Sequence, residues 1–170
     1  MTTLGHRYAD RPHVSVHQAD LAAEEWPNLE GEAIDTVVCL NVLEHLPDDA
    51  YVLTRFWDAL VPGGRLVLLV PAHRWLHGTI DRAIGHYRRY ERRSLCALIA
   101  QCGFVVESAE YLNPVGVAGW FLNSRVLNRA AVPLQQARLF DALFPLFERT
   151  QALGLPIGIS VLAVGRKPPS

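Results

Sequence analysis

Hydrophobic positions in this chain come either as short continuous runs or as stripes at helical spacing, and their order predicts its elements. Asp35 to Leu40 (DTVVCL) is a β-branched and apolar run, the pattern of a strand covered on both faces in a parallel sheet. Pro47, Asp48 and Asp49 then open a helix, because proline suits a first turn and carboxylates favour the positive end of the helix dipole. Leu53, Phe56, Trp57 and Leu60 recur at helical spacing and predict one buried stripe. Pro62-Gly63-Gly64 stops that helix, and Arg65 to Val70 is the next buried strand. Leu95, Leu98, Ile99 and Cys102 repeat the stripe, and Gly103 follows where a helix ends with positive φ. Phe104 to Val106, extending toward Leu112, predicts a strand, as does Ile157 to Val164. Upstream, His13 to His17 alternates and predicts a half-buried strand that ends at Ala19-Asp20-Leu21.

The stretches without rhythm are equally informative. Residues 22–33 are polar and acidic and make a surface connection. Residues 72–91 are polar, aromatic and basic, a long loop with a turn or more of helix. Residues 113–155 form a helical insertion, in which Leu134, Ala137, Phe140, Leu143, Phe144 and Phe147 share one face, interrupted by Pro145. Strands alternating with helices mean an α/β fold with a mostly parallel sheet, and an insertion before the final strand allows that strand to run antiparallel.

Composition narrows the class. A length of 170 residues suits one domain, and 50% hydrophobic content is ample for a core and too much for a disordered chain. A formal net charge of −1 argues against a general nucleic-acid binder. Cys39, Cys96 and Cys102 are odd in number and lack paired spacing, so buried reduced thiols and a cytoplasmic location are expected. The amino terminus is too polar for a signal peptide, and no run reaches the roughly 18 apolar residues of a membrane span.

Several segments in order resemble the class I S-adenosylmethionine-dependent methyltransferases of types 11 and 12. They are Gln18-Ala19-Asp20-Leu21, Asp35-Thr36-Val37-Val38, Asn41-Val42-Leu43-Glu44-His45-Leu46, Leu60-Val61-Pro62-Gly63-Gly64-Arg65-Leu66, Ala100-Gln101-Cys102-Gly103-Phe104 and the closing Ser160 to Lys167. The resemblance implies a Rossmann-like methyltransferase sheet, mostly parallel with an antiparallel last strand, and S-adenosyl-L-methionine as cofactor. It implies that Asp20 accepts from the adenine amino group, with Leu21 against the ring, and that Asn41 and Val42 stand beside the methyl donor. Glu44 and His45 would face the acceptor, His45 as general base, since an imidazole titrates near about 6.5. Ubiquinone-type O-methyltransferases carry a similar Glu-His pair linked to a divalent metal. They have another Glu where this chain has Asn41, and the loss of that hard ligand leaves no metal expected.

The cluster Gly85 to Arg93 (GHYRRYERR) would lie at the same end of the sheet. His86, Tyr87, Arg88 and Arg89 there, with Trp120 from the insertion, are the expected acceptor-binding residues, because arginines interleaved with tyrosines hold anionic or planar groups. The acceptor is expected to be a small molecule, lipid- or sugar-linked, and the insertion to act as its lid. Peripheral membrane contact, self-association and a completing chain are all open as partnerships. The family's glycine-rich turn and the acidic residue after its second strand have no counterpart here. An N-terminally truncated fold and weak cofactor binding by these residues alone are therefore expected. The alternative is a non-catalytic binding or regulatory subunit built on the same fold.

Overall fold

The computed structural model describes residues 3–23, 26–27, 32–136, 138 and 155–169. The chain divides into two compact units, residues 1–32 and 33–170. The first carries helix α1 (Thr3–Arg7), followed by turns that include Arg11 N–H to Tyr8 O at 3.0 Å. The guanidinium groups of Arg7 and Arg11 lie 5.9 and 5.7 Å from the Tyr8 ring centre. The expected strand at His13–His17 does not form, and no strand precedes Ile34 among the described residues. Two valines give that segment little apolar area to bury, and among the described residues no strand pairs with it.

The second unit is built on a four-stranded sheet ordered β1-β2-β4-β3, with β1 (Ile34–Leu40), β2 (Leu60–Pro71), β3 (Val105–Leu112) and β4 (Ser160–Arg166). β1 and β2 pair in parallel, with Val38 opposite Val67. β4 runs antiparallel to both of its neighbours, with Val67 opposite Val164 on one side and Ala109 opposite Ala163 on the other. Three strands therefore point one way and the final strand enters between two of them against the grain, as the sequence predicts. Helix α2 (Asp49–Ala59) packs on β2, and α4 (Arg92–Gln101) packs on β3 and β4.

Local chemistry sets the boundaries. Asp48 caps α2 by accepting from Tyr51 N–H at 2.9 Å, which satisfies one of the four free donors of a helix start. Val52, Leu53 and Phe56 bury the inner face of α2, while Trp57 is only half-buried and Leu60 is buried as the first residue of β2. Leu66, Leu68, Val70, Val161 and Ala163 fill the covered face of the sheet, and each fully buried leucine is worth about 1.5–3 kcal/mol. Lys167 ties the end of β4 to the end of α2. Its ammonium donates to Trp57 O and Leu60 O, both at 2.7 Å, and lies 3.8 Å from the Trp57 ring centre. All three cysteines are free thiols, and burial, followed by the charge of Glu44, pushes Cys39 up to about 11.

One expectation about the sheet fails. Asp35–Leu40 is not covered on both faces, for Val38 is 59% exposed and Leu40 49% exposed. β1 is an edge strand of the sheet among the described residues. Gly103 does end α4 with φ +95°, and a Cβ there would meet Trp57 Nε1 at 2.9 Å. Gly103→Ala is therefore expected to cost about 1–3 kcal/mol, measured by urea denaturation.

Candidate acid–base site

The three parallel strands all end in the same way. Asn41 follows β1 with φ 52°, His73 lies two residues past β2 with φ 63°, and Asn113 follows β3 with φ 57°. Left-handed backbone at a non-glycine residue is uncommon, and a histidine bears more of its cost than an asparagine does. Such strain gathers at functional sites, and in open α/β sheets ligands bind outside the carboxyl ends of the strands. Asn41 N–H still bonds Leu69 O at 2.8 Å, so the sharp turn begins only after the last ladder bond. Asn113 turns the chain into helix α5 (Pro114–Trp120) and caps it by accepting from Gly116 N–H at 2.8 Å.

The turn after Asn41 runs into a single 3₁₀ turn, Leu43–His45. Its spacing puts Leu43 and Glu44 inside and His45 at the surface. Glu44 is wholly buried, and neither carboxylate oxygen has a hydrogen-bond partner. Burial pushes its carboxyl above the ordinary range, against its own backbone N–H and the imidazoles of His86 and His45. His86 Nε2 lies 3.6 Å from Glu44 Oε1, a charge contact beyond hydrogen-bond length. The His45 and His86 rings meet edge to face at 4.6 Å.

His86 is held from its other side. Its Nδ1 is 2.9 Å from Asp81 Oδ1, and its carbonyl is 3.1 Å from His77 Nε2. Asp81, on helix α3 (Thr79–Ala83), is wholly buried. It also accepts from Arg89 Nε at 2.6 Å, Gly78 N–H at 2.9 Å and Trp120 Nε1–H at 3.2 Å. His86 stands between two carboxylates, Nδ1 toward Asp81 and Nε2 toward Glu44. A carboxylate thus orients one imidazole, and a second carboxylate, buried and without a hydrogen bond, lies beside two.

Glu44, His45 and His86 bring donor atoms within 4.8 Å of one another, and among the described residues they are the group able to hold a metal. Two imidazoles and one carboxylate suit a borderline ion of the zinc class rather than magnesium.

The other expected site residues fall in different places. Asp20 belongs to the first unit, where it is exposed and accepts from Ala22 N–H at 2.9 Å, and Leu21 beside it is half-buried. Val42 is half-buried at the entry to the 3₁₀ turn. Tyr87 is exposed, and its N–H bonds Glu44 O at 2.8 Å, which fastens the basic segment to the Glu44 turn. Arg88 pairs with Asp49 at 2.8 Å. Arg89 lies in the interior, donating to Ala72 O at 2.9 Å and stacked 4.5 Å from the Trp120 ring centre. Arg88 and Arg89 therefore already have carboxylate partners, and Trp120 packs beneath Arg89. An open cleft of about 680 Å³ is lined by Asp49, Arg74, His77, Tyr87 and Arg88, and Glu44 is not among its lining residues. The buried charges mark the chemistry more directly than that cleft does, because a cleft by itself has no unbalanced group.

Asp81 and His73 escape the sequence reading. Asp81 had one signal, as the lone acid between Asp58 and Glu91 in a stretch of arginines and histidines. His73 had none. Its ring stacks on Tyr111 at 4.8 Å, and its Nδ1 lies 3.3 Å from Glu91.

Comparisons with known proteins agree with the fold. A family model described as a methyltransferase domain matches residues 5–109. A protein of Mycolicibacterium smegmatis named a probable S-adenosylmethionine-dependent methyltransferase is 29% identical over 107 residues, which cover 62% of this chain and 40% of that protein. The chain thus spans well under two thirds of that relative's length. The crystal structure of an S-adenosylmethionine-dependent methyltransferase from Mesorhizobium loti superimposes with a TM-score of 0.60 at 15% identity, covering 96% of this chain and 75% of that one. The cyclase SpnF gives a TM-score of 0.60 at 16% identity, covering 98% and 60%. At such identities the likeness shows the fold alone, and the fold hosts more than one chemistry.

Proposed function

This chain belongs to the methyltransferase domain family, and on that footing we propose that it serves S-adenosyl-L-methionine-dependent methylation of a hydroxyl or amine on a small-molecule acceptor. The observation that carries the reading is the buried Glu44 carboxylate, without a hydrogen bond, beside the imidazoles of His45 and His86. Leaving such a group unsatisfied costs about 1–3 kcal/mol or more, and a fold retains that cost where the group has work to do.

His45 is the exposed member and takes the acceptor's proton. Glu44 stabilises the imidazolium that forms, and Asp81 holds the His86 ring in place against Glu44. The left-handed strand ends and the buried carboxylate fit a site that receives a cationic, proton-releasing reaction complex. Asn41 and Val42 would hold the cofactor's methionyl end. When bound, the cofactor supplies a methyl group already activated on a sulfonium. The protein's own part is to orient the acceptor, exclude water and accept a proton.

The test is transfer of labelled methyl from S-adenosylmethionine to a panel of small alcohols and amines. The expected result is transfer that falls about ten- to a hundredfold in His45→Ala and is partly restored by free imidazole. Transfer indifferent to His45, or cofactor binding without transfer to any acceptor, overturns the reading. The second outcome would favour the non-catalytic subunit.

A further inference from the structure

Helix α5 continues into a π-helical turn, Phe121–Val126, whose polarity is inverted. Its inner face is polar. Asn123 and Ser124 are only 2% and 1% exposed. Both are fully engaged, with Asn123 Nδ2 donating to Gly119 O and Gln136 Oε1 at 2.9 Å, and Arg129 donating to Asn123 Oδ1 at 2.8 Å. Ser124 Oγ accepts from Ile80 N–H at 3.3 Å. Its outer face is apolar, with Phe121 42%, Leu122 46% and Val126 54% exposed. Trp75 adds to this face, 48% exposed with its ring 5.9 Å from that of Phe121.

A lone exposed leucine needs no explanation, but an outward apolar face over a satisfied polar interior does. The hydrogen bonds of Asn123 and Ser124 fix the turn in this orientation, so it cannot roll its apolar side inward. Surrounding charges select the medium. No Asp or Glu occurs between Glu110 and Asp141, Asp81 is buried, and the Glu91 carboxylate, which accepts from Arg74 N–H at 3.0 Å, is shared with His73 and Tyr111. Exposed Arg74 precedes Trp75 and exposed Arg125 precedes Val126; neither makes an ion pair among the described residues, and Arg125 Nη1 donates to His77 O at 3.2 Å. Aromatic and aliphatic side chains with arginine heads at the rim match the boundary of a bilayer that carries negative charge.

We propose that the face formed by Trp75, Phe121, Leu122 and Val126, rimmed by Arg74 and Arg125, docks on an anionic lipid surface. Trp120, one residue before Phe121, donates to Asp81, so the docked face adjoins the acid–base site. The inference stands whether or not methyl transfer is the reaction.

The experiment is co-sedimentation of the 170-residue chain with vesicles of phosphatidylglycerol and phosphatidylcholine, against phosphatidylcholine alone. Binding is expected only to the first, weakened at high salt. The double substitution Phe121→Ser with Leu122→Ser is expected to reduce it at least tenfold, and Arg125→Glu to reduce it with an unchanged thermal melt. Both leave Asn123 and Ser124 in place, so their folding is checked by that melt. Equal binding to both vesicle types, undiminished binding by the folded double variant, or no binding would overturn the proposal. So would concentration-dependent self-association abolished by the same double substitution, since a second copy would then cover the face.

Discussion

Glu44→Gln is expected to slow methyl transfer by about 10²–10⁴-fold and at the same time to make the protein more stable at neutral pH. The two effects have one cause. Glu44 lies wholly inside without a hydrogen-bond partner, and burial raises its carboxyl above the ordinary value. A group whose folded pKa is raised holds its proton more tightly in the folded state. Its ionisation therefore takes stability away as pH climbs past the unfolded value near about 4.3 and on through the folded one. Glutamine is neutral throughout, so the gain from Glu44→Gln appears at pH 7 and vanishes below about pH 4. Transfer runs the other way. The ionised carboxylate stabilises the imidazolium formed beside it, so the rate falls as pH drops through a value above the ordinary glutamate range, and the variant lacks that limb. Thermal melts at pH 4 and 7, with a pH–rate profile for each protein, measure both. A variant that is as fast as the wild type, or less stable at pH 7, removes the argument.

Much of the frame behind that site was legible beforehand. The apolar runs at Asp35–Leu40 and Arg65–Val70, the cap at Asp48 and the stop at Gly103 follow from periodicity and backbone chemistry, and the structure keeps them. The segment Asn41–His45 was recognisable as a strand-end turn with polar groups. Sequence could not say that Glu44 would be buried and His45 exposed, because one step along a 3₁₀ turn decides it. It also could not separate Arg88 from Arg89. They are neighbours with the same chemistry, yet one sits part-exposed on Asp49 and the other lies inside on Asp81. His13–His17 shows the opposite limit, since alternation proposes a strand but only a partner can complete one.

Asp81→Asn is expected to be the most destabilising substitution in the second unit, costing about 3–5 kcal/mol of a total that is typically about 5–15. Asp81 accepts from four donors drawn from four places in the chain: Gly78, His86, Arg89 and Trp120. An asparagine of the same shape turns an amide N–H toward some of those donors and leaves the buried Arg89 guanidinium without its countercharge. The pH dependence identifies the cause. Burial alone would push Asp81 up, but the hydrogen bonds from His86 and Gly78 and the charge and hydrogen bond of Arg89 outweigh it and hold the carboxyl well below the usual range. With a depressed folded pKa, the stabilisation is complete above the unfolded value near about 3.9 and is lost as pH falls below it. The gap between wild type and Asp81→Asn in urea denaturation should therefore be full at pH 7 and narrow below about pH 4. Arg89→Met in the Asp81→Asn background separates charge from packing. If the unpaired guanidinium is the main cost, the double variant recovers part of the loss, because no buried charge then lacks a partner. A double variant as unstable as the sum of the two single ones would instead assign the loss to the shape of the site.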